Sequence, residues 1–312
     1  MLPLALLLPP LALALSPQQR ASLHSGAWPA GQPPRSVPSS KTVDGPLLGN
    51  GDVGVVLGVE RGRELGFWVS KSDLWHLEPG RTGPKALGGV RVALADAALP
   101  VQFALRQDIG RGVVEWNITK GQAALVSGST TISQADGVSS VVTTIESAGS
   151  AQHLTVTTWG QPGAASGESG GISWIARSAG GCSNATAAIA TAVVAGGATG
   201  GGGAQGQAVT VAPGKPAMLT HTVVSSVQLG KRTGNCSWES HDPVPVAIAK
   251  AATMDAPNAW AIVAASRRFW ADYWNKSTIS LPTQPEVERY WYSAQYILGS
   301  SSRAGRATNG IW

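Results

Sequence analysis

Between residues 41 and 161 the chain breaks into short apolar or alternating runs at close, regular spacing, and that pattern leaves few folds open. The runs "GGVRVALAD", "VQFALRQDI", "GVVEWNITK", "AALVSGSTTIS", "VSSVVTTIESA" and "HLTVTTWG" are separated by Gly, Asp and Ser breaks. Many short strands of this kind predict an antiparallel sandwich or a related two-sheet fold. Upstream, "VVLGVERGRELGFWVS" reads as a hairpin in which Val53 to Val59 pairs with Glu64 to Val69. Downstream, strands resume in "QAVTVAPGKPAMLTHTVVSSVQL", with Pro213-Gly214 as a turn. Between them, residues 162–206 shift to Gly, Ala and Ser and include "GGATGGGGAQG". Such residues offset little of the entropy of ordering, so a long loop or low-complexity insertion is expected there.

After "HDPVPV" the period changes from two to that of a helix. "VAIAKAATMDAPNAWAIVAASRRFWADYWNKS" is Ala-rich and helical, interrupted at Pro257. In "LPTQPEVERYWYSAQYILGS", Thr283 and Glu286 have capping-box spacing, Pro285 suits a first turn, and Gly299 is placed to close the end. Val287, Tyr290, Ala294 and Ile297 or Leu298 fall on one face. A lone helix of this length is marginal, so that stripe is expected to pack against a larger helical body. The fold class is therefore mainly β with a helical C-terminal part. It comprises a large antiparallel β-sandwich over residues 41–242 (insertion 162–206 included), linker helices over 243–281, and over 282–312 the first helix and loop of an incomplete helical-hairpin barrel. Residues 17–40, rich in Pro, Ser and Gly, read as a disordered lead-in.

Residues 1–16, "MLPLALLLPPLALALS", resemble the apolar core of a secretory signal more than a bilayer span, and no later run is long enough to span. The expected location is extracellular or within the endomembrane lumen. Asn117, Asn184, Asn235 and Asn275 are N-glycosylation candidates. The only two cysteines, Cys182 and Cys236, could pair in an oxidising compartment; two unpaired thiols are the alternative, and their spacing fits no metal site. The formal charge is +5, yet only 13% of residues are charged and no Lys/Arg run occurs, which argues against nucleic acid. With 12 Trp against 4 Tyr and 3 Phe, indole rings could serve as sugar platforms or as core fillers. Nothing in the sequence asks for a cofactor, and nothing in it sets the oligomeric state.

Two motifs need weighing. "GNGDVG", Gly49 to Gly54, has dinucleotide-loop spacing, but it opens a strand rather than a helix, so no helix N-terminus faces a pyrophosphate. Gly49, Asn50, Gly51 and Asp52 are read as a structural turn, Asn50 and Asp52 fixing it by side-chain hydrogen bonds. "GESGG" around Ser169 matches a nucleophile elbow only as a string: it lies in the Gly/Ala/Ser tract, and none of His24, His76, His153, His221 and His241 has a protease context.

"GPLLGNGDVGVVLG" followed by "FWVSKSDLWHL", "APGKPAMLTHTVVSS", and "RRFWADYWNKSTISLPTQPEVERYWYSAQYILGSSSRAGRATNGIW" together resemble glycoside hydrolases of the family 95 group, which includes α-L-fucosidases, and look related to family 65. The resemblance implies an N-terminal β-sandwich joined by helices to a catalytic barrel of six helical hairpins, acting on a carbohydrate substrate. It places the acid and base carboxylates downstream of the first barrel helix, so no catalytic residue carries over to this chain. The final "NGIW" departs from the Pro-Gly-Leu-Trp usual at that loop. Lys71, Asp73 and Trp75 of "KSDLW", with Trp312, are the substrate-binding candidates it implies. The plainer reading makes Lys71 and Asp73 a surface pair and packs Trp75 in the core. The alternative function is a non-catalytic, secreted carbohydrate-binding module.

Overall fold

The computed structural model describes residues 15–34, 44–60, 62–80, 82–95, 100–135, 137–195, 197–199 and 206–304. Most of the expected signal segment, the middle of the glycine run and Trp312 lie outside these residues. The chain opens with α1 (Pro17–Ser22), β1 (Gly26–Trp28), β2 (Leu47–Gly49), β3 (Val53–Glu60) and β4 (Glu64–His76). It continues through β5 (Gly83–Leu94), β6 (Gln102–Asp108), β7 (Val113–Lys120), β8 (Ala123–Ile132), β9 (Ser139–Ser147) and β10 (Gln152–Gly160). Then come β11 (Ala165–Ser169), β12 (Ile172–Gly180), β13 (Ser183–Ala195), β14 (Gly197–Thr199), β15 (Gln207–Val211) and β16 (Ala217–Ser225). Helices close the described chain: α2 (Ser226–Leu229), α3 (Pro243–Ala252), α4 (Ala256–Lys276) and α5 (Pro285–Ser301).

The strands form two antiparallel sheets. One has nine strands in the order β1-β6-β7-β8-β9-β16-β13-β12-β11, the other seven in the order β14-β15-β10-β5-β4-β3-β2. The expected first hairpin is present, with Val59 opposite Leu65 and Val53 opposite Lys71. Alternate residues of both sheets turn inward to build the core, among them Leu57, Phe67, Val90, Trp116, Ile145 and Val156. No helix among the described residues is long and apolar enough to cross a membrane.

Two sequence expectations are corrected. The described part of residues 162–206 is mostly strand, because β11, β12 and β13 complete the nine-stranded sheet and β14 edges the other. The alanines of β13 are what a strand buried on both faces can use: Ala185, Ala187 and Ile189 face the inter-sheet core, while Ala188, Ala190 and Ala192 form a flat floor under Ala247 and Ala251 of α3. Small side chains there let the helix sit close to the sheet. The lead-in at 17–40 is likewise ordered where it is described. Ser16 and Gln19 form a capping box on α1, and β1 pairs with β6.

His221 of β16 lies in the inter-sheet core, its ring 6.0 Å from Phe67 and its Nδ1 3.3 Å from Thr191 Oγ1. Burial pushes this imidazole down to about 3. The unfolded chain takes up the proton near pH 6.5, so the full stability is present above that value and is lost as pH falls toward 3, at about 1.4 kcal/mol per unit. We expect the urea midpoint to drop more steeply between pH 6 and pH 4 in the wild type than in His221→Gln. Parallel pH profiles would contradict the assignment.

Candidate functional site

The "GNGDVG" turn is the point where the sandwich receives the C-terminal helices. Asn50 Oδ1 accepts from the backbone N–H groups of Asp52 and Val53, at 3.0 and 2.8 Å, closing the turn on its own side chain. Its Nδ2 donates to Ser133 O at 2.7 Å, tying the turn to the loop before β9. The Gly51 N–H donates to Ser300 O at 2.8 Å and so satisfies one of the carbonyls left over at the end of α5. Gly51 has φ +75°, and a Cβ there would stand 2.5 Å from Arg303 N; at Gly49 it would stand 2.4 Å from Ser300 O. The glycines therefore serve backbone geometry and a close helix approach, not a phosphate.

Behind the turn sits a buried ion cluster. Lys71 Nζ donates to Asp52 Oδ1 at 2.5 Å and to Asp73 Oδ2 at 2.8 Å, with side-chain exposures of 0% for Lys71 and Asp52 and 12% for Asp73. Ser139 Oγ and Gln228 Nε2 donate to Asp52 Oδ2, and Ser225 Oγ donates to Asp73 Oδ2. Ser225 and Gln228 are also the capping box of α2, so the short helix is fastened to the cluster. The antiparallel register that sets Val53 opposite Lys71 explains why "GNGD" and "KSD" meet although 19 residues apart. Lys71 and Asp73 thus form no surface pair, and the Lys71 ammonium is buried between two carboxylates. Ser139, Ser225 and Gln228 carried no sequence signal, since serine and glutamine in strand ends and turns are ordinary.

The other candidates scatter. Trp75 is half-buried and donates its Nε1–H to Ser72 O at 2.7 Å. Cys182 and Cys236 are joined as a disulfide, pinning the segment before α3 to the start of β13. Asn117, Asn235 and Asn275 are exposed; Asn184 is exposed too, but its amide bridges both backbone groups of Trp238, at 2.6 and 2.8 Å. Ser169 ends β11 at a two-glycine hairpin turn, Gly170 and Gly171, both with positive φ, leading into another strand. An elbow would need a helix there.

The α5 helix also departs from expectation. Its sandwich-facing side is Glu288, Tyr292, Tyr296, Gly299 and Ser300, while Val287, Tyr290 and Leu298 are 51%, 74% and 54% exposed. The inner face joins Trp270 and Trp274 of α4 and Ile109 in an aromatic cluster, with Trp270 and Tyr296 stacked at 4.8 Å. Gly299 is not the cap: it lies within the last turn, which runs on to Ser301, and a Cβ there would come 3.0 Å from Tyr273. The Thr283 cap is not formed either. Gln284 takes the N-cap position without a side-chain bond, and Glu286 pairs instead with Arg289 at 2.5 Å.

Several acids of this region are held by ion-pair or hydrogen-bond partners. Arg106 and Arg111 hold Asp108 and Glu115; Arg20 and His24 hold Glu288; Arg91 holds Glu60. Burial works to raise the Asp108 carboxyl, but hydrogen bonds from Ser22 and Arg111 and the arginine charges outweigh it, and its pKa ends below the usual range. Glu288 is lowered chiefly by the Leu281 N–H, and Glu239 by the Lys231 N–H. A glycosidic general acid needs the opposite shift. Glu78, Asp73 and Asp52 are paired with His76 and Lys71. Among the described residues no His/Cys/Asp/Glu group is arranged to hold a metal.

Fold and site together define a class: a mainly β, two-sheet sandwich carrying docked C-terminal helices, with its buried acids Asp52, Asp108 and Glu288 held by structural partners. No family model and no curated protein matches the sequence. Among solved structures the fold is similar to that of a "Putative kojibiose phosphorylase from human microbiome", with TM-score 0.50 and 11% identity over 82% of this chain and 39% of that one. The chain therefore spans about two-fifths of the length of that structure, and the likeness is one of fold.

Proposed function

We propose that this chain is the β-sandwich and helical linker of a carbohydrate-active enzyme of the six-hairpin type, a glycoside hydrolase or phosphorylase whose reacting carboxylates belong to the barrel. The observation that carries the reading is the two-sided character of α5. One side is sealed to the sandwich by Tyr292 and Tyr296, and the other presents Val287, Tyr290 and Leu298 to solvent. A helix with apolar stripes on both sides suits an interior layer between a sandwich and further helices. The fold likeness to a protein named as a kojibiose phosphorylase supports the substrate class, and the motif resemblance supports the hydrolase arm. Within this reading the protein is secreted, and the sandwich serves to hold the first barrel helix in place.

The test is the full-length transcript. The reading expects the frame to continue past the Trp312 codon into apolar-periodic helices carrying Asp and Glu. A stop directly after that codon in every transcript would sink it. An assay adds a second check. The 312-residue protein should release no product from aryl α-L-fucosides, nor from kojibiose with inorganic phosphate. Turnover abolished by Glu288→Gln or Asp108→Asn would contradict the proposed division of labour.

A further inference from the structure

A cleft of about 660 Å³ opens where the free edges of both sheets meet α5. One wall is β1, the edge of the nine-stranded sheet, and another is the start of β2, the edge of the seven-stranded sheet. The outer edge of β1 leaves backbone donors and acceptors, whereas Leu47 O of β2 already accepts from Gln107 Nε2 and the Tyr296 hydroxyl, at 2.7 and 2.8 Å. The floor is apolar, made by Ile109, Ile297 and the ring of Tyr296, whose hydroxyl is already committed to Leu47 O at 2.8 Å. Trp28 adds a half-buried indole. Asp44 and Arg289 line the rim from different elements, Arg289 already paired with Glu286 at 2.5 Å, and Ser293 lies between Arg289 and Tyr296 along the lining face of α5.

We propose that this cleft binds an uncharged saccharide of two rings. The volume lies within the range of small-molecule sites. With its guanidinium paired to Glu286, Arg289 offers little attraction to an anion such as phosphate, and a polar rim around an apolar floor does not suit a purely apolar ligand. A sugar matches both features, because its C–H faces lie on aromatic rings while its hydroxyls take side-chain and edge-strand hydrogen bonds. The proposal deepens the carbohydrate reading and rests on it. The cleft also touches α5 directly, so an occupied cleft would brace the helix that the sandwich holds.

The experiment is calorimetric titration of the full chain with kojibiose, with cellobiose, and with inorganic phosphate alone. One disaccharide is expected to bind with a Kd of about 1 mM or tighter. Trp28→Ala should weaken it about tenfold, and Ser293→Trp, which fills the cleft, should abolish it while keeping the wild-type urea midpoint. If Ser293→Trp lowers that midpoint, the Trp28→Ala titration decides. Disaccharide binding that neither variant alters would overturn the cleft and leave the carbohydrate reading standing. Failure of both disaccharides to bind, or binding of phosphate alone, would overturn the cleft, with the transcript still deciding the carbohydrate reading independently.

Discussion

Replacing Lys71 by methionine is expected to lower the stability of the protein by about 4 kcal/mol, read as a fall in the urea midpoint. Methionine keeps the length of the side chain but removes the one ammonium that stands between Asp52 and Asp73. Neither carboxylate can relax into water, since the Asp52 side chain is 0% exposed and that of Asp73 12%. Breaking one partner of a buried cluster costs more than the cluster contributes, because the charges left behind stay desolvated. The triple variant Lys71→Met, Asp52→Asn, Asp73→Asn should therefore recover a large part of the loss. A rim residue that touches substrate would behave differently: Lys71→Met would change ligand affinity and leave the urea midpoint in place. That second pattern would return Lys71 to the list of substrate contacts.

Removing the Cys182–Cys236 bridge is the other large effect. It closes a span of 54 residues, for which the chain-entropy model gives about 4 kcal/mol of stabilisation through the unfolded state. The bridge fastens the segment between α2 and α3, which makes few other long-range bonds; Asn184 to Trp238 is the main one. Cys182→Ser with Cys236→Ser, or reduction of the wild type, should bring the urea midpoint down by a corresponding amount and leave the sheet content unchanged. An identical midpoint with and without reductant would show that the span is held by other contacts.

How far the sequence could be read depended on whether a residue's partner was local. Strands with alternating Val, Ile and Leu, such as β3 and β9, announce their buried face, and the hairpin register follows from a short turn. Residues 162–206 did not, because composition alone makes Ala and Gly look unable to order. What matters in β13 is that both faces are covered, and the cover comes from α3, more than fifty positions away. The α5 helix misled for a related reason. Its most apolar-looking stripe, through Val287 and Tyr290, is exposed, while the buried side relies on tyrosine hydroxyls satisfied by Leu47 and Ile279 carbonyls. Asn50 was legible as a turn former, whereas Asp52, read in the same way, turns its carboxylate to Lys71. That Asp52 anchors Lys71, Ser139 and Gln228 needs the tertiary fold to see.

The measurement that bears most directly on the account is backbone hydrogen exchange on the wild type and Gly51→Val. The account holds that α5 is fastened to the sandwich at the "GNGDVG" turn, through the Gly51 N–H to Ser300 O bond and a backbone approach that only glycine permits. In the wild type, α5 amides should be protected to the level of α4. In Gly51→Val, whose side chain meets a positive φ and the Ser302–Arg303 backbone, α5 protection should collapse while β16 keeps its own. Unprotected α5 amides in the wild type, or α5 protection indifferent to the substitution, would contradict it.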